Sequence, residues 1–295
     1  MLKNKLTGLG VALVTPFKED ETIDFETLDK LLDYQLESDT DYLVLMGTTS
    51  EVPTLSEEEK EKITSFVTNK IQGRLPIILG FGGNNTRQML EKMQKTNFSG
   101  VDGLLIATPY YNKPSQEGLY QHYKALANAS PLPIILYNVP GRTGVNLTVQ
   151  TTLRLVREFP NIIATKEASG NIAQISEIIE NKPATFEVIS GDDGLAFPLI
   201  KLGAIGVISV LGNAFPKQIG EMARLALNGE NTRAEEICLR FAKLTELIFA
   251  DGSPAGVKCI LSCMGLANNK LRLPLVPVCS DVCDSIFETL KNFET

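Results

Sequence analysis

The chain has 295 residues, 43% of them hydrophobic, enough to bury a sizeable core in one large domain or two small ones. Its 28 Lys and Arg stand against 35 Asp and Glu, a formal charge of −7, which argues against a nucleic acid or an acidic membrane as partner and for a small molecule. No stretch approaches the roughly 18–20 uninterrupted apolar residues of a membrane span, and Thr15, Pro16 and Lys18 end the first apolar run before it could act as a signal core, so a cytoplasmic location is expected.

Eight apolar, β-branched runs follow one another along the chain: GVALVTP (10–16), YLVLMGTT (42–49), PIILGFGG (76–83), GLLIATP (103–109), PIILYNVP (133–140), IIATKEA (162–168), FEVISGDD (186–193) and GVISVLGN (206–213). Between them lie segments of helical period. After the first run, Phe25, Leu28, Leu31, Leu32 and Leu36 share one face; after the second, Ser56 precedes an acidic first turn. Near-continuous apolar strands alternating with amphipathic helices predict a parallel sheet covered on its outer face. Eight such units over residues 1–228 match a closed (β/α)8 TIM barrel, with an open doubly wound sheet as the alternative. From 229 to 295 the strand signal stops, and three helical segments predict a C-terminal helical extension.

In such barrels chemistry sits at the C-terminal ends of the strands. The second run ends in GTTSE, where Thr48, Thr49, Ser50 and Glu51 offer hydroxyls and consecutive N–H groups suited to a small carboxylate, or form a simple turn. The third ends in GFGGNN (80–85), glycine-rich but matching no phosphate or dinucleotide fingerprint. The fourth presents Tyr110 and Tyr111 on a proline-stiffened loop, and the fifth offers Tyr137 as an acid/base hydroxyl and Arg142 as a carboxylate fork. The seventh ends in SGDD, whose Asp192 and Asp193 are expected to cap the next helix rather than to bind a metal.

The sixth run places Lys166 at its end. Strand alternation puts Ala164, Lys166 and Ala168 on one face and Thr165 and Glu167 on the other. If that first face is the barrel interior, the lysine has small neighbours and little water, the setting in which an amine becomes a nucleophile able to form a Schiff base with a carbonyl compound. The competing reading is a lysine snorkelling to solvent. Lys18 and Lys113 lie among charged or turn residues and should stay hydrated. The sole histidine, His122, has no second imidazole to share a metal and is expected to be a packing or surface residue. Cys259 and Cys263, like Cys279 and Cys283, are four apart; a four-thiolate metal site is conceivable, but small core residues with reduced thiols are the plainer reading, and no metal is expected.

GTTSE, PYYNKP, YNVPGRTG and KEASGN, followed by SGDD and GVISV, together resemble the pyruvate-dependent class I aldolases of the N-acetylneuraminate lyase superfamily, over the chain from about Gly8 to the last helices. The resemblance implies that Lys166 forms an imine with pyruvate, with no separate cofactor. Thr49 and the N–H groups around Thr48 and Thr49 would hold the pyruvate carboxylate, and Ile208 and Gly191 would line the pocket. Tyr137 would relay protons through Thr48 to Tyr111 of a neighbouring subunit, so a homo-oligomer is implied, a tetramer built from dimers. Arg142 points to the members that condense pyruvate with L-aspartate 4-semialdehyde in diaminopimelate and lysine synthesis; lyases acting on sugar acids are the alternative. Ser50 departs from the family's usual glycine and would add a side chain beside the pocket. Asn84 matches the pattern that goes with feedback inhibition, but Val52, Pro53, Glu57, Lys60 and Gln88 replace the other residues, so weak or absent inhibition by lysine is expected.

Overall fold

The computed structural model of the protein describes residues 2–293. Each predicted run supplies one strand: β1 (Gly8–Ala12), β2 (Tyr42–Leu45), β3 (Ile77–Gly80), β4 (Gly103–Ala107), β5 (Ile134–Asn138), β6 (Ile162–Glu167), β7 (Glu187–Ser190) and β8 (Gly206–Ser209). All neighbours pair in parallel and β8 closes on β1, giving the (β/α)8 barrel. All eight runs overshoot their strands at the C-terminal end, because the chain leaves the sheet to build loops. At β2 the departure is abrupt: Met46 takes a φ of 53°, the left-handed region, and ends the extended backbone.

The helices between strands start where capping chemistry allows. Asp24 caps the helix Phe25–Glu37, which turns Leu28, Leu31 and Leu32 into the core, each stabilising by about 1.5–3 kcal/mol. Ser56 and Glu59 form a reciprocal capping box at the start of Glu57–Ile71. The apolar side chains divide into two cores. One fills the shell between sheet and helices; the other fills the barrel itself, with Tyr42, Val44, Ile78, Leu105, Ile135, Ala164, Ile189 and Ile208. Gly10 is required there, since a Cβ would lie 2.2 Å from the Tyr42 ring.

The pairing of β5 with β6 contains a register shift. Ile134 pairs with Ile162, but Ile135 pairs with Ala164, so Ile163 is an extra residue on β6. Beyond the bulge, Leu136 faces Thr165, Tyr137 faces Lys166 and Asn138 faces Glu167.

The predicted terminal helices form as Asn231–Ala250, Ala255–Cys263 and Ser280–Lys291. Asn231–Ala250 packs on the last barrel helix, Pro216–Leu227, and the other two pack on it and on each other; an aromatic cluster fastens the group, with Phe215 5.0 Å from Phe241 and 5.7 Å from Phe293, ring centre to ring centre.

Candidate active site

Lys166 lies 5% exposed at the C-terminal end of β6, and its Nζ sits 4.4 Å from the centre of the Tyr137 ring. Both residues stand in register on adjacent strands, Tyr137 in the barrel's interior cluster with Ala164 and Ile189. Gly191 makes the space: a Cβ there would come within 3.0 Å of Lys166 Cε and Cγ and of Ala168 Cβ. Ile208 is buried in the same interior cluster.

Glu167 takes the opposite face. Its carboxylate accepts hydrogen bonds from Asn138 Nδ2 at 3.2 and 3.3 Å and from Ser169 Oγ at 3.0 Å. Burial nevertheless pushes its pKa up to about 7, the donors offsetting only part of the desolvation. Because the folded pKa is raised, the protonated acid is the form that favours the fold, and its contribution is lost as pH rises from about 4.5 through 7. Glu167→Gln should therefore flatten the stability profile across that window, gaining roughly 3 kcal/mol at pH 8 relative to pH 4.5. Urea titrations at the two pH values check this; parallel losses in both proteins would refute it.

After β2 the chain forms a 3₁₀ turn, Thr48–Ser50, whose first N–H groups have no partner within the turn and are free to meet an anion. Thr49 is buried and Thr48 half-buried. The expected intrusion of Ser50 is corrected here: its hydroxyl donates to the Leu13 carbonyl at 2.7 Å, while Thr15 Oγ1 donates to the Ser50 carbonyl at 2.8 Å. The side chain fastens the turn to the end of β1.

A feature that sequence reasoning missed holds this turn from behind. Glu51, with a φ of 55°, is fully buried and pairs with the equally buried Lys258 of the C-terminal extension. Lys258 also donates to the Lys270 carbonyl at 2.8 Å and lies over the Phe17 ring at 4.3 Å, and Glu51 accepts from the Arg272 amide at 3.1 Å. Burial outweighs the attraction of Glu51 and lowers the Lys258 pKa to about 8. A lowered pKa alone does not make a nucleophile: Lys258 is walled in by its partners, whereas Lys166 faces the barrel mouth. The signal was available, since Lys258 interrupts the apolar segment AGVKCIL. Lys18 and Lys113 are exposed, as expected.

Two predicted residues lie apart from this group within the chain. Tyr111 is 90% exposed, on a loop held by Asn84 Nδ2 donating to the Tyr110 carbonyl (3.2 Å) and Asn112 Nδ2 donating to the Asn84 carbonyl (2.9 Å). Its φ of 72° is costly for a bulky residue, so the loop is held in one shape against a local preference. Arg142 is exposed on the single helical turn Pro140–Thr143, with no ion pair to it among the described residues. The capping expectation for the aspartates is corrected, since no side chain caps the helix Ala196–Leu202 and both carboxylates act ahead of it. Asp192 accepts from the amides of Gly194 and Leu195, but Asp193 is buried and accepts instead from Ser209 Oγ and the amides of Val210 and Leu211, tying β7 to the end of β8. His122 is a packing residue: its Nδ1 meets Thr86 Oγ1 at 2.8 Å, and burial lowers its pKa to about 4. A cavity of about 720 Å³ beside Val52, Pro53, Glu57, Lys60, Lys92 and Tyr110 is separate from the lysine site and contains none of its residues.

A closed barrel with a buried, tyrosine-backed lysine at its C-terminal mouth defines a barrel enzyme organised around an amine. The dihydrodipicolinate synthetase family model matches residues 5–293. The chain is 60% identical to the 4-hydroxy-tetrahydrodipicolinate synthase of Parabacteroides distasonis, over 97% of each chain, and 59% identical to that of Phocaeicola vulgatus, over 94% of this chain and 93% of the other. The crystal structure of dihydrodipicolinate synthase from Aquifex aeolicus superposes with a TM-score of 0.94 at 40% identity, covering 98% of each chain. The chain belongs to the dihydrodipicolinate synthetase family. It is a lyase of the synthase type, and the sugar-acid alternative is set aside.

Proposed function

We propose that the barrel condenses pyruvate with L-aspartate 4-semialdehyde through an imine on Lys166, without a separate cofactor. The observation that supports this reading most directly is the buried Lys166 Nζ beside the Tyr137 ring, with room left by Gly191. The neutral amine attacks the pyruvate ketone, and water leaves to give a protonated imine. Loss of a methyl proton to a base gives the enamine, whose carbon attacks the aldehyde. The semialdehyde's own amine then displaces Lys166 as the ring closes. Thr49 and the amides of Thr48 and Thr49 hold the pyruvate carboxylate, with the Ile208 carbonyl against the same pocket. Tyr137 and Thr48 carry protons out to Tyr111 of a neighbouring subunit, which would give the 90% exposed Tyr111 its partner. The working form would then be a dimer or a tetramer of dimers; sedimentation that finds only active monomer would remove this part. A biosynthetic role in the cytoplasm accords with this chemistry.

The test is whether the purified protein consumes L-aspartate 4-semialdehyde only when pyruvate is present. Arg142→Ala should lower kcat/KM for the semialdehyde about 10–10²-fold, the loss of a charge-assisted pair, while borohydride still traps pyruvate on the enzyme. Equal loss of pyruvate trapping would show that Arg142 acts elsewhere.

Lysine is expected to inhibit weakly or not at all. Among the residues beside the 720 Å³ cavity, Glu57 is already paired with Lys60 and Lys92, each at 2.7 Å, and Lys95 offsets the second carboxylate, Glu61. A lysine's ammonium finds little attraction there. Half-inhibition by sub-millimolar lysine would contradict this.

A further inference from the structure

Three of the five cysteines come together where the C-terminal helices pack. Cys259 and Cys263 stand one turn apart on the same face of Ala255–Cys263, and Cys283 meets them from Ser280–Lys291. Their sulfurs all lie within 4.8 Å of one another, and Cys259 Sγ is 3.2 Å from Cys283 Sγ. Only Cys259 is buried; Cys283 is half-buried and Cys263 exposed, so the expectation of core cysteines holds for one of the three and the cluster is open to solvent on one side.

We propose that Cys259, Cys263 and Cys283 form a binding site for a thiophilic d¹⁰ cation, with Zn²⁺ as its natural occupant. Zinc–sulfur bonds of about 2.3 Å set tetrahedral sulfurs about 3.8 Å apart, inside the 4.8 Å within which the three sulfurs already lie. Cys279 begins the second helix but stands outside the trio, which leaves the fourth position to water. Three sulfurs converging from two helices suit a metal better than a disulfide, which would join two and leave the third idle. Burial and the neighbouring thiols raise the Cys259 pKa, so a cation has to displace its proton on binding. The site also has a structural consequence. Cys259 follows Lys258, so the cation would clamp the helix that carries the partner of Glu51.

The test uses the full chain, reduced with a phosphine, stripped with chelator, exposed to two equivalents of Zn²⁺ and desalted. One zinc per chain should be retained. Alkylation mapped by mass spectrometry should slow at least tenfold at Cys263 and Cys283 but not at Cys238 or Cys279. Cys263→Ser, at an exposed position that leaves the fold intact, should retain less than about a tenth of an equivalent. Any of three results would overturn the site: no retention by the parent protein, undiminished retention by Cys263→Ser, or a Cys259–Cys283 disulfide forming in place of uptake.

Discussion

Lys166→Ala is expected to lower the rate of semialdehyde consumption by roughly 10³–10⁶-fold, the range for removing a covalent nucleophile, while leaving the fold in place. The side chain is buried against Tyr137 but makes no ion pair among the described residues, so truncation strands no charge. Borohydride reduction with pyruvate supplies a second readout. The parent protein should carry one reduced adduct, mapped to the peptide containing Lys166, and the variant none. Lys258 is the internal control: it too is buried, with a pKa lowered to about 8, yet Glu51 and the Lys270 carbonyl hold its amine. An adduct on Lys258, or a variant within tenfold of parent activity, would remove Lys166 from its assigned role.

Lys258→Ala should be the most damaging change to stability, costing about 3–5 kcal/mol, because it leaves the Glu51 carboxylate buried without its cation. The double replacement Glu51→Gln with Lys258→Met removes both charges and should recover most of that loss. Chemical denaturation of the single and double variants measures the difference. A single-variant loss below about 1 kcal/mol would mean that water reaches Glu51 when Lys258 is gone. Activity should fall along with stability in the single variant, since Glu51 directly follows the turn Thr48–Ser50.

The barrel was legible because each strand announces itself twice, by an apolar run and by the helical period that follows. The meeting of Tyr137, Lys166 and Gly191 was legible for a related reason: residues at successive strand ends become neighbours once the sheet closes. What escaped were partnerships with no period behind them. Asp193 reads as a helix cap because it stands just before a helix, yet its acceptor capacity goes to Ser209 and the amides beyond it. Glu51 and Lys258 are 207 positions apart, and nothing local to either names the other. The cysteine spacing showed two pairs, but only packing decides that Cys283 joins Cys259 and Cys263 while Cys279 does not.

The bulge at Ile163 makes the tolerance of β6 to length change depend on position. Ile162 belongs to the outer core, while Ile163 and Ala164 both pack toward the barrel interior, so the strand carries one residue more than its alternation needs. A lineage could lose Ile163 and keep Ala164 opposite Ile135 and Lys166 opposite Tyr137. Losing Thr165, two positions later, would carry the lysine to the helix side. Drift in chain length therefore has a permitted site and a forbidden one within this strand, and a deletion keeps or loses the inward lysine according to which side of Ala164 it falls.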